Sequence, residues 1–395
     1  MKNRIYLDYA ATSPVLPEVL DEMLPFFTEK YGNPSGVYGT AREARQAVEK
    51  ARRQVAEAIG AEPAEIYFTS GGSESDNMAI QGYPDIRRIC SGHIITTKIE
   101  HHAVLNACRR LEKDGVLVTY LTPDREGLIS SGDVERAITE PVRRGCDEIK
   151  RQTVLISVMT ANNEIGTIEP IRKIGDVARR YGIPFHTDAI QAAGAIPLDV
   201  NELMVDMMSI SAHKFYGPKG VGALYVRKGT RISNLIYGGS QERGLRAGTE
   251  NTAGIVGMGK AIEIAVRDME SNRQKTRKLR DLMIREVLEN IPESVLNGPA
   301  DEGRLDNNCH FSFRGIDGEA LLLRLDLAGI AASGGSACTS GNREPSHVLQ
   351  AIGLDEELMN GSIRFTLGRE TTEEEIMETV SVTREIVEDL RRFQV

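Results

Sequence analysis

The stretch that most constrains the fold is Val205–Gly217, VDMMSISAHKFYG. Its first half, Val205–Ile210, is an apolar run of strand length. Its second half, Ser211–Gly217, is a polar loop. A further apolar run, Val221–Val226, resumes after Pro218, Lys219 and Gly220. Short apolar runs bounded by turn residues read as strands buried on both faces. Lys214 then sits at the carboxyl end of a buried strand, the edge where open α/β sheets bind their ligands. A partly desolvated lysine at that edge can stay unprotonated and attack an aldehyde. The ordinary alternative is an exposed loop lysine. Ser211 and His213 beside it, and Asp188 upstream, favour the chemical reading.

The same strand-then-polar-loop pattern recurs. Glu65–Thr69 runs into the glycine-rich turn Ser70–Glu74 and then a helix through Ala79. Such a turn gathers free N–H groups and the positive end of a helix at one point, a natural anion site. It is neither a GxGxxG fingerprint nor a P-loop, and a purely structural turn is its alternative. His93–Lys98 leads to Glu100, His101 and His102, Thr153–Met159 to Asn162–Gly166, and Pro184–Thr187 to Asp188 and Gln191. Val116–Tyr120 is one more strand. Helices fall between: Ala41–Ile59, with apolar residues three or four apart and Gly60 as its stop, then Val104–Leu111, Gly132–Ile138 capped by Ser131, and Ile171–Tyr181. Strands and helices alternating at this spacing predict a mostly parallel α/β sheet.

Pro141–Lys150 reads as a surface excursion, and Asn251–Glu289 as one long helical stretch with a buried first half and an exposed second half. The main domain boundary is placed near residue 265, inside that stretch. The remainder reads as α+β, with strands at Asn308–Phe313 and Ile363–Thr366 and helices near Gly318–Asp326, Ser346–Ile352 and Thr372–Arg391. Thr372 and the acids Glu373–Glu375 suit the start of the last helix.

Composition narrows the function. The chain has 395 residues, 41% hydrophobic and 27% charged, as expected of a globular protein of about two or three domains. A formal charge of -9 argues against nucleic acid as the direct ligand. The five cysteines, Cys90, Cys108, Cys146, Cys309 and Cys338, form no CxxC pair, so neither a disulfide scaffold nor a metal site is expected. They suit a reducing, cytoplasmic setting. The opening MKNRIYLDYA has no apolar signal region, and no apolar run reaches 18 residues, so neither secretion nor a membrane span is expected.

Ser73, Asn163, Asp188 and Lys214 each follow a predicted strand. A cofactor with an aromatic nitrogen, an aldehyde and a phosphate uses all of them, and that set describes pyridoxal 5'-phosphate. A carboxylate keeps the ring nitrogen protonated, a lysine holds the aldehyde, and helix-start N–H groups hold the phosphate. His101 suits stacking on the ring, and Ser211, His213 and Thr249 suit the phosphate. Each also has a plainer account: Asp188 or Thr249 as helix caps, Asn163 in a turn, His101 as a half-buried histidine, Ser211 and His213 as shapers of the loop. Cys338 lies in AASGGSACTSG, where little can bury it, and access favours a reactive thiol over the small buried hydrophobe that a lone cysteine more commonly is. Arg364, in SIRFTLGR, lies within a predicted strand, where a buried guanidinium can clamp a carboxylate; a surface ion pair is the alternative.

With these residues in hand the chain resembles the cysteine desulfurase family, NifS/IscS-like branch, within the aspartate-aminotransferase-like fold (fold type I of pyridoxal phosphate enzymes). The matching stretches include YLDYAAT (Tyr6–Thr12), YGNPS (Tyr31–Ser35), FTSGGSESDN (Phe68–Asn77), EHHAV (Glu100–Val104), NNEIG (Asn162–Gly166), HTDAIQAAG (His186–Gly194), SISAHKFYGPKGVGALYVR (Ser209–Arg227), RAGTEN (Arg246–Asn251), GSACTSG (Gly335–Gly341) and SIRFTLGR (Ser362–Arg369). The resemblance implies a large domain at 15–265 with a mostly parallel seven-stranded sheet. A smaller α+β domain would comprise 1–14 and 266–395 and carry a cysteine loop at about 330–342.

By position, the resemblance implies Lys214 as the Schiff-base lysine, Asp188 at the pyridine nitrogen and Gln191 at the phenolic oxygen. Asn163 would lie on the substrate side. His101 would stack on the ring and move protons. Gly72, Ser73, Ser211 and His213 would bind cofactor oxygens, and Thr249 would reach the phosphate of a partner subunit in a homodimer with composite sites. Cys338 would accept the sulfur of L-cysteine as a persulfide, and Arg364 would hold the substrate carboxylate with Asn33 nearby. An iron–sulfur scaffold protein or another sulfur acceptor would receive the sulfur. A selenocysteine lyase or cysteine sulfinate-processing relative, and a sulfur-assembly subunit without turnover, are the rival readings. The chain departs from the branch's commonest form at Gly334, in a longer stretch around Pro141–Arg151, and in ending on Phe393, Gln394 and Val395 without a histidine-bearing tail.

Overall fold

The computed structural model describes residues 4–83, 92–140, 142–144, 147–149, 152–334 and 345–392. Strands in chain order are β1 (Ile5–Tyr6), β2 (Ile66–Thr69), β3 (Gly92–Thr97), β4 (Leu117–Leu121), β5 (Val142–Arg144), β6 (Asp147–Ile149), β7 (Gln152–Ser157), β8 (Phe185–Asp188), β9 (Met207–Ser211), β10 (Gly222–Val226), β11 (Ser294–Leu296), β12 (Asn308–Phe313), β13 (Ile330–Ala331) and β14 (Ser362–Thr366). The main sheet has seven strands in the order β2-β10-β9-β8-β7-β3-β4. Only β10 runs against the rest: it pairs antiparallel with both β2 and β9, while β9, β8, β7, β3 and β4 are parallel neighbours. The carboxyl ends of β2, β3, β7, β8 and β9 therefore share one edge.

Both faces of this sheet are covered, and the pleat shows it. Ile95, Ile156, Met208 and Ala223 enter one hydrophobic core, against the helices Gly39–Ala58, Ile171–Tyr181 and Thr252–Arg267. Their chain neighbours Ile94, Leu155, Met207 and Leu224 enter another, against Gly72–Gln81 and His102–Lys113. Alternate side chains of a strand point to opposite faces, so a doubly covered strand is apolar throughout.

A separate core gathers Phe311, Phe313, Ile363 and Phe365 with Met283, Val287, Leu321 and Ile376. Ile5 and Leu7 belong to it, because β1 pairs in parallel with β13. Its antiparallel sheet, β11-β12-β14, has one strand more than the sequence suggests.

Three local expectations change. The long helical stretch is two helices, Thr252–Arg267 and Met269–Asn290, meeting at Asp268, whose φ -96°, ψ 2° is not helical. Asp268 is held there by two bonds from Arg267, at 2.7 and 2.9 Å. The excursion near Pro141 contains the hairpin β5–β6. The cap of the helix Ser131–Thr139 is Ser130, one residue earlier, because Ser130 and Asp133 form a reciprocal capping box. At the last helix, Glu375 N–H donates to Thr372 Oγ1 at 3.2 Å, as the sequence leads one to expect.

Candidate active site

Lys214 lies on a single helical turn, Ala212–Lys214, directly after β9. Its Nζ donates to the carbonyls of Ala10 (2.5 Å) and Ala11 (2.9 Å). Gln191 Nε2 donates to the same Ala10 carbonyl at 3.0 Å. The amine lines a cavity of about 90 Å³ with Tyr9, Gln191 and Tyr216. The loop around it is braced by the amino-terminal segment: His213 Nδ1 is 3.2 Å from Thr12 Oγ1, and Ser13 Oγ both donates to His213 O (2.9 Å) and accepts from Tyr216 N–H (2.8 Å).

Asp188, the last residue of β8, is buried, and its Oδ1 accepts from Ile190 N–H at 2.9 Å. Burial pushes its carboxyl up to about 6, opposed by that N–H bond and by the charge of Lys214. His101 ends the loop after β3 and caps the helix His102–Lys113, its Nδ1 accepting from Ala103 N–H at 3.1 Å. A nitrogen that accepts there must be unprotonated. Burial and the neighbouring Lys214 charge push the imidazole down to about 4, which keeps the ring neutral.

The glycine turn opens the ten-residue helix Gly72–Gln81. Gly71, at φ +151°, occupies a conformation open essentially to glycine alone. A Cβ at Gly72 would lie 2.1 Å from Ile190 Cδ1 and 3.6 Å from Ser211 Cβ, so the turn is pressed against Asp188's loop and the end of β9. Glu74 turns away from the helix start, taking Ser70 N–H at 2.8 Å and the Arg246 guanidinium at 2.9 Å.

Arg364, on β14, reaches in from the other core and is 3% exposed. It donates through Nη1 to Asn163 O (2.7 Å) and through Nη2 to Asp8 Oδ1 (2.8 Å), while its buried Nε has no hydrogen-bond partner among the described residues. An orphaned guanidinium donor is costly unless a ligand uses the group.

The structure thus brings Lys214, Asp188, Gln191, His101, Gly72, Ser73, Ser211, Asn163 and Arg364 to one sheet edge. It leaves other candidates elsewhere or differently engaged. His213 turns to Thr12. Thr249 is exposed on the loop ahead of Thr252–Arg267, whose cap is Asn251, not Thr249. Asn33 is exposed and takes Ser35 N–H at 3.0 Å. Cys338 lies outside the described residues, as do Cys90 and Cys146; Cys108 and Cys309 are free and buried. Sequence reasoning counted Tyr6–Thr12 among the matching stretches but gave none of its residues a part in the site. Asp8, Ala10, Ala11 and Thr12 touch the site from a segment with no periodicity, and two of them act through main-chain carbonyls that any residue carries.

The donor set suits pyridoxal phosphate: an amine parked on carbonyls, a buried acid at a strand end, a neutral imidazole and a tight helix start. Among the described residues, no group of three or more His, Cys, Asp or Glu is arranged to hold a metal ion, and no helix is long and apolar enough to cross a membrane.

Fold and site define a class, a pyridoxal phosphate enzyme with its lysine after a central strand, and comparison with known proteins agrees. Residues 5–378 match the family model "Aminotransferase class-V". The cysteine desulfurase IscS of Dictyoglomus turgidum is 54% identical over 391 residues, 99% of this chain and 96% of that protein. That of Methanosarcina thermophila is 49% identical, covering 98% and 93%. A solved NifS-like protein superposes with a TM-score of 0.89 at 38% identity, covering 98% of this chain and all of that one. The structure of SspA in complex with cysteine superposes at 0.80 with 39% identity, covering 93% of this chain and 100% of that one. The chain belongs to the cysteine desulfurases, within the class-V aminotransferase family.

Proposed function

We propose that the protein removes the sulfur of L-cysteine, releasing L-alanine and leaving Cys338 as a persulfide. In balance, the substrate's Cβ–S bond breaks, its sulfur joins the Cys338 sulfur, and Cβ gains a proton. The observation that carries this reading is the convergence of Lys214, Asp188 and His101 at one sheet edge, with Arg364 facing them from the second core. Pyridoxal 5'-phosphate, when bound, supplies an aldehyde that captures the substrate amine and a ring that withdraws electrons from Cα.

The chain's own residues do the rest. Lys214 would carry the cofactor at rest and, once released, take the proton from Cα; its bonds to the Ala10 and Ala11 carbonyls keep the amine at the sheet edge. Asp188 would face the ring nitrogen and keep it protonated, and Gln191 would meet the ring's phenolic oxygen. His101 would stack on the ring and, being neutral, exchange a proton at the departing sulfur. Gly72, Ser73 and Ser211 would hold the phosphate, with His213 and, from a second subunit, Thr249. Arg364 would take the substrate carboxylate, with Asn163 and Asn33 on that side. Cys338 would attack the substrate sulfur as a thiolate.

Exposed apolar side chains at Leu24, Phe27, Tyr31, Val37 and Tyr237 support a homodimer. The persulfide sulfur would pass to an iron–sulfur scaffold protein or another acceptor, in the cytoplasm, where free thiols such as Cys108 and Cys309 persist. The test is an assay of the purified protein for alanine and sulfide from L-cysteine, with mass spectrometry of Cys338. Alanine together with one added sulfur on Cys338 is expected; no alanine from the cofactor-loaded protein would refute the reading.

A further inference from the structure

We propose that Asp76, acting with His186, is a positioning residue: it is held as the neutral acid so that the negative charge beneath the cofactor resides on Asp188 alone. This role rests on the site reading above and concerns a layer of side chains that reading leaves unused.

Asp76 lies on the buried face of the helix Gly72–Gln81, one turn after the glycine turn, with 0% exposure. Neither carboxyl oxygen makes a hydrogen bond of good geometry among the described residues. It faces Ser209 on β9 and His186 on β8, whose Nε2 is 3.7 Å from Asp76 Oδ1. His186 is itself fully buried and fixed at both ends, Nδ1 at 2.9 Å from Ser157 Oγ and Nε2 at 3.0 Å from Ser209 Oγ. Ser157, His186 and Ser209 therefore form a chain across three adjacent strands that ends at Asp76. Each serine hydroxyl can donate or accept, so the chain is satisfied by the neutral ring, one nitrogen donating and the other accepting.

The groups that face Asp76 are Asp188 from β8, Glu100 from the loop after β3, and His186. Burial pushes Glu100 up to about 8, so the charge Asp76 meets is that of Asp188, and two buried carboxyls sharing a site do not both ionise. Which one ionises follows from their partners. Asp188 has the Ile190 N–H and the charge of Lys214. Asp76 has only the Ser209 hydroxyl, so it keeps the proton. In agreement, burial pushes Asp76 well above the ordinary carboxylate range and pushes His186 down to about 3. A charged Asp76 would draw the positive charge of a protonated ring away from Asp188, whereas a neutral one leaves that pairing intact.

The experiment compares the wild-type protein with Asp76→Asn, an uncharged isostere, first without cofactor. A group whose folded-state pKa is raised favours the fold below its unfolded value and loses that contribution as pH rises. The wild-type melting temperature should thus fall, relative to the variant's, from about pH 4 upward. By pH 8 the variant should melt higher by at least about 2–4 °C. Were Asp76 instead an anion paired with an imidazolium, the variant would strand a buried cation and melt lower near pH 5–6, with no gain at pH 8; that result overturns the proposal.

In the loaded protein, the ¹⁵N signal of the ring nitrogen should stay that of a protonated ring in Asp76→Asn and change in Asp188→Asn; loss of the ring proton in Asp76→Asn also overturns it. If Asp76→Asn does not fold, His186→Gln carries the test: the variant should gain on the wild type only as pH falls below about 6.5, where the wild type loses the contribution of its neutral buried imidazole, and a fall steeper than the wild type's toward neutral pH refutes the neutral acid. Failure to bind pyridoxal phosphate at all would refute the site reading while leaving the cofactor-free titration informative.

Discussion

Residue by residue, the site depends on which charges are compensated. Arg364 is the sharpest case: buried, bonded to Asp8 and to the Asn163 carbonyl, with Nε unused. A charged hydrogen bond contributes about 1.5–3 kcal/mol. Arg364→Ala should therefore raise KM for L-cysteine by about 10- to 150-fold, and it should also strand Asp8. Steady-state kinetics check this, and an unchanged KM would assign the guanidinium to structure alone. Lys214→Ala should abolish the visible band of the covalently held cofactor while leaving the fold, because its bonds to the Ala10 and Ala11 carbonyls are a small loss beside the sheet and its two covering cores; absorption and circular dichroism together decide. The sequence marked both residues, since a lysine after a buried strand and an arginine inside one are unusual. It could not mark Asp8, whose partner lies 356 positions away.

At the scale of elements, two joints hold the sheet edge in place. The first is the helix start at Gly72, where a Cβ would come within 2.1 Å of Ile190 Cδ1. Gly72→Ala should cost about 1–3 kcal/mol through overpacking and weaken pyridoxal phosphate binding more than it lowers stability, measured as the cofactor Kd beside the melting temperature.

The second joint pins the loop Gln241–Gly244 to β2. Arg52 and Glu242, 4% and 2% exposed at their side chains, share two bonds of 2.8 Å, and Glu242 Oε2 also takes Phe68 N–H at 2.9 Å. Breaking such a pair leaves a buried charge and costs about 3–5 kcal/mol, whereas replacing both partners by apolar groups costs much less. Denaturant unfolding of Arg52→Met against Arg52→Met/Glu242→Leu should show that order, and equal losses would contradict it. Helix periodicity in the sequence located Gly39–Ala58 well, but nothing local announced that one of its arginines would face inward.

Across the whole molecule, the main sheet's cores and the separate core around β12 and β14 are linked by polar contacts near the site. Glu164 is buried and accepts from Ser346 Oγ, its main-chain carbonyl takes Asn308 Nδ2 at 2.9 Å, and Arg364 lies near it. Burial pushes its carboxyl up to about 7, partly offset by Ser346 and Arg364. Because the folded value exceeds the unfolded one, this group's contribution is present at acid pH and fades as pH rises from about 4.5 to 7. Glu164→Gln should therefore gain on the wild type across that window, with a limiting slope of about 1.4 kcal/mol for each pH step of one. Thermal melts across pH measure it, and a constant difference would mean that Glu164 is already ionised.

The sequence by itself determined the alternation of strands and helices, the buried character of the central strands, and the position of Lys214, Asp188 and the glycine turn at strand ends, because each is a local pattern of apolar period, turn chemistry or residue type. Only the tertiary structure decided that β10 runs against its neighbours, that the amino-terminal strand pairs in parallel with β13, and that Asp8 and the Ala10 and Ala11 carbonyls face the arginine and the lysine. Those contacts join residues hundreds of positions apart through hydrogen bonds and burial, and neither leaves a periodic trace along the chain.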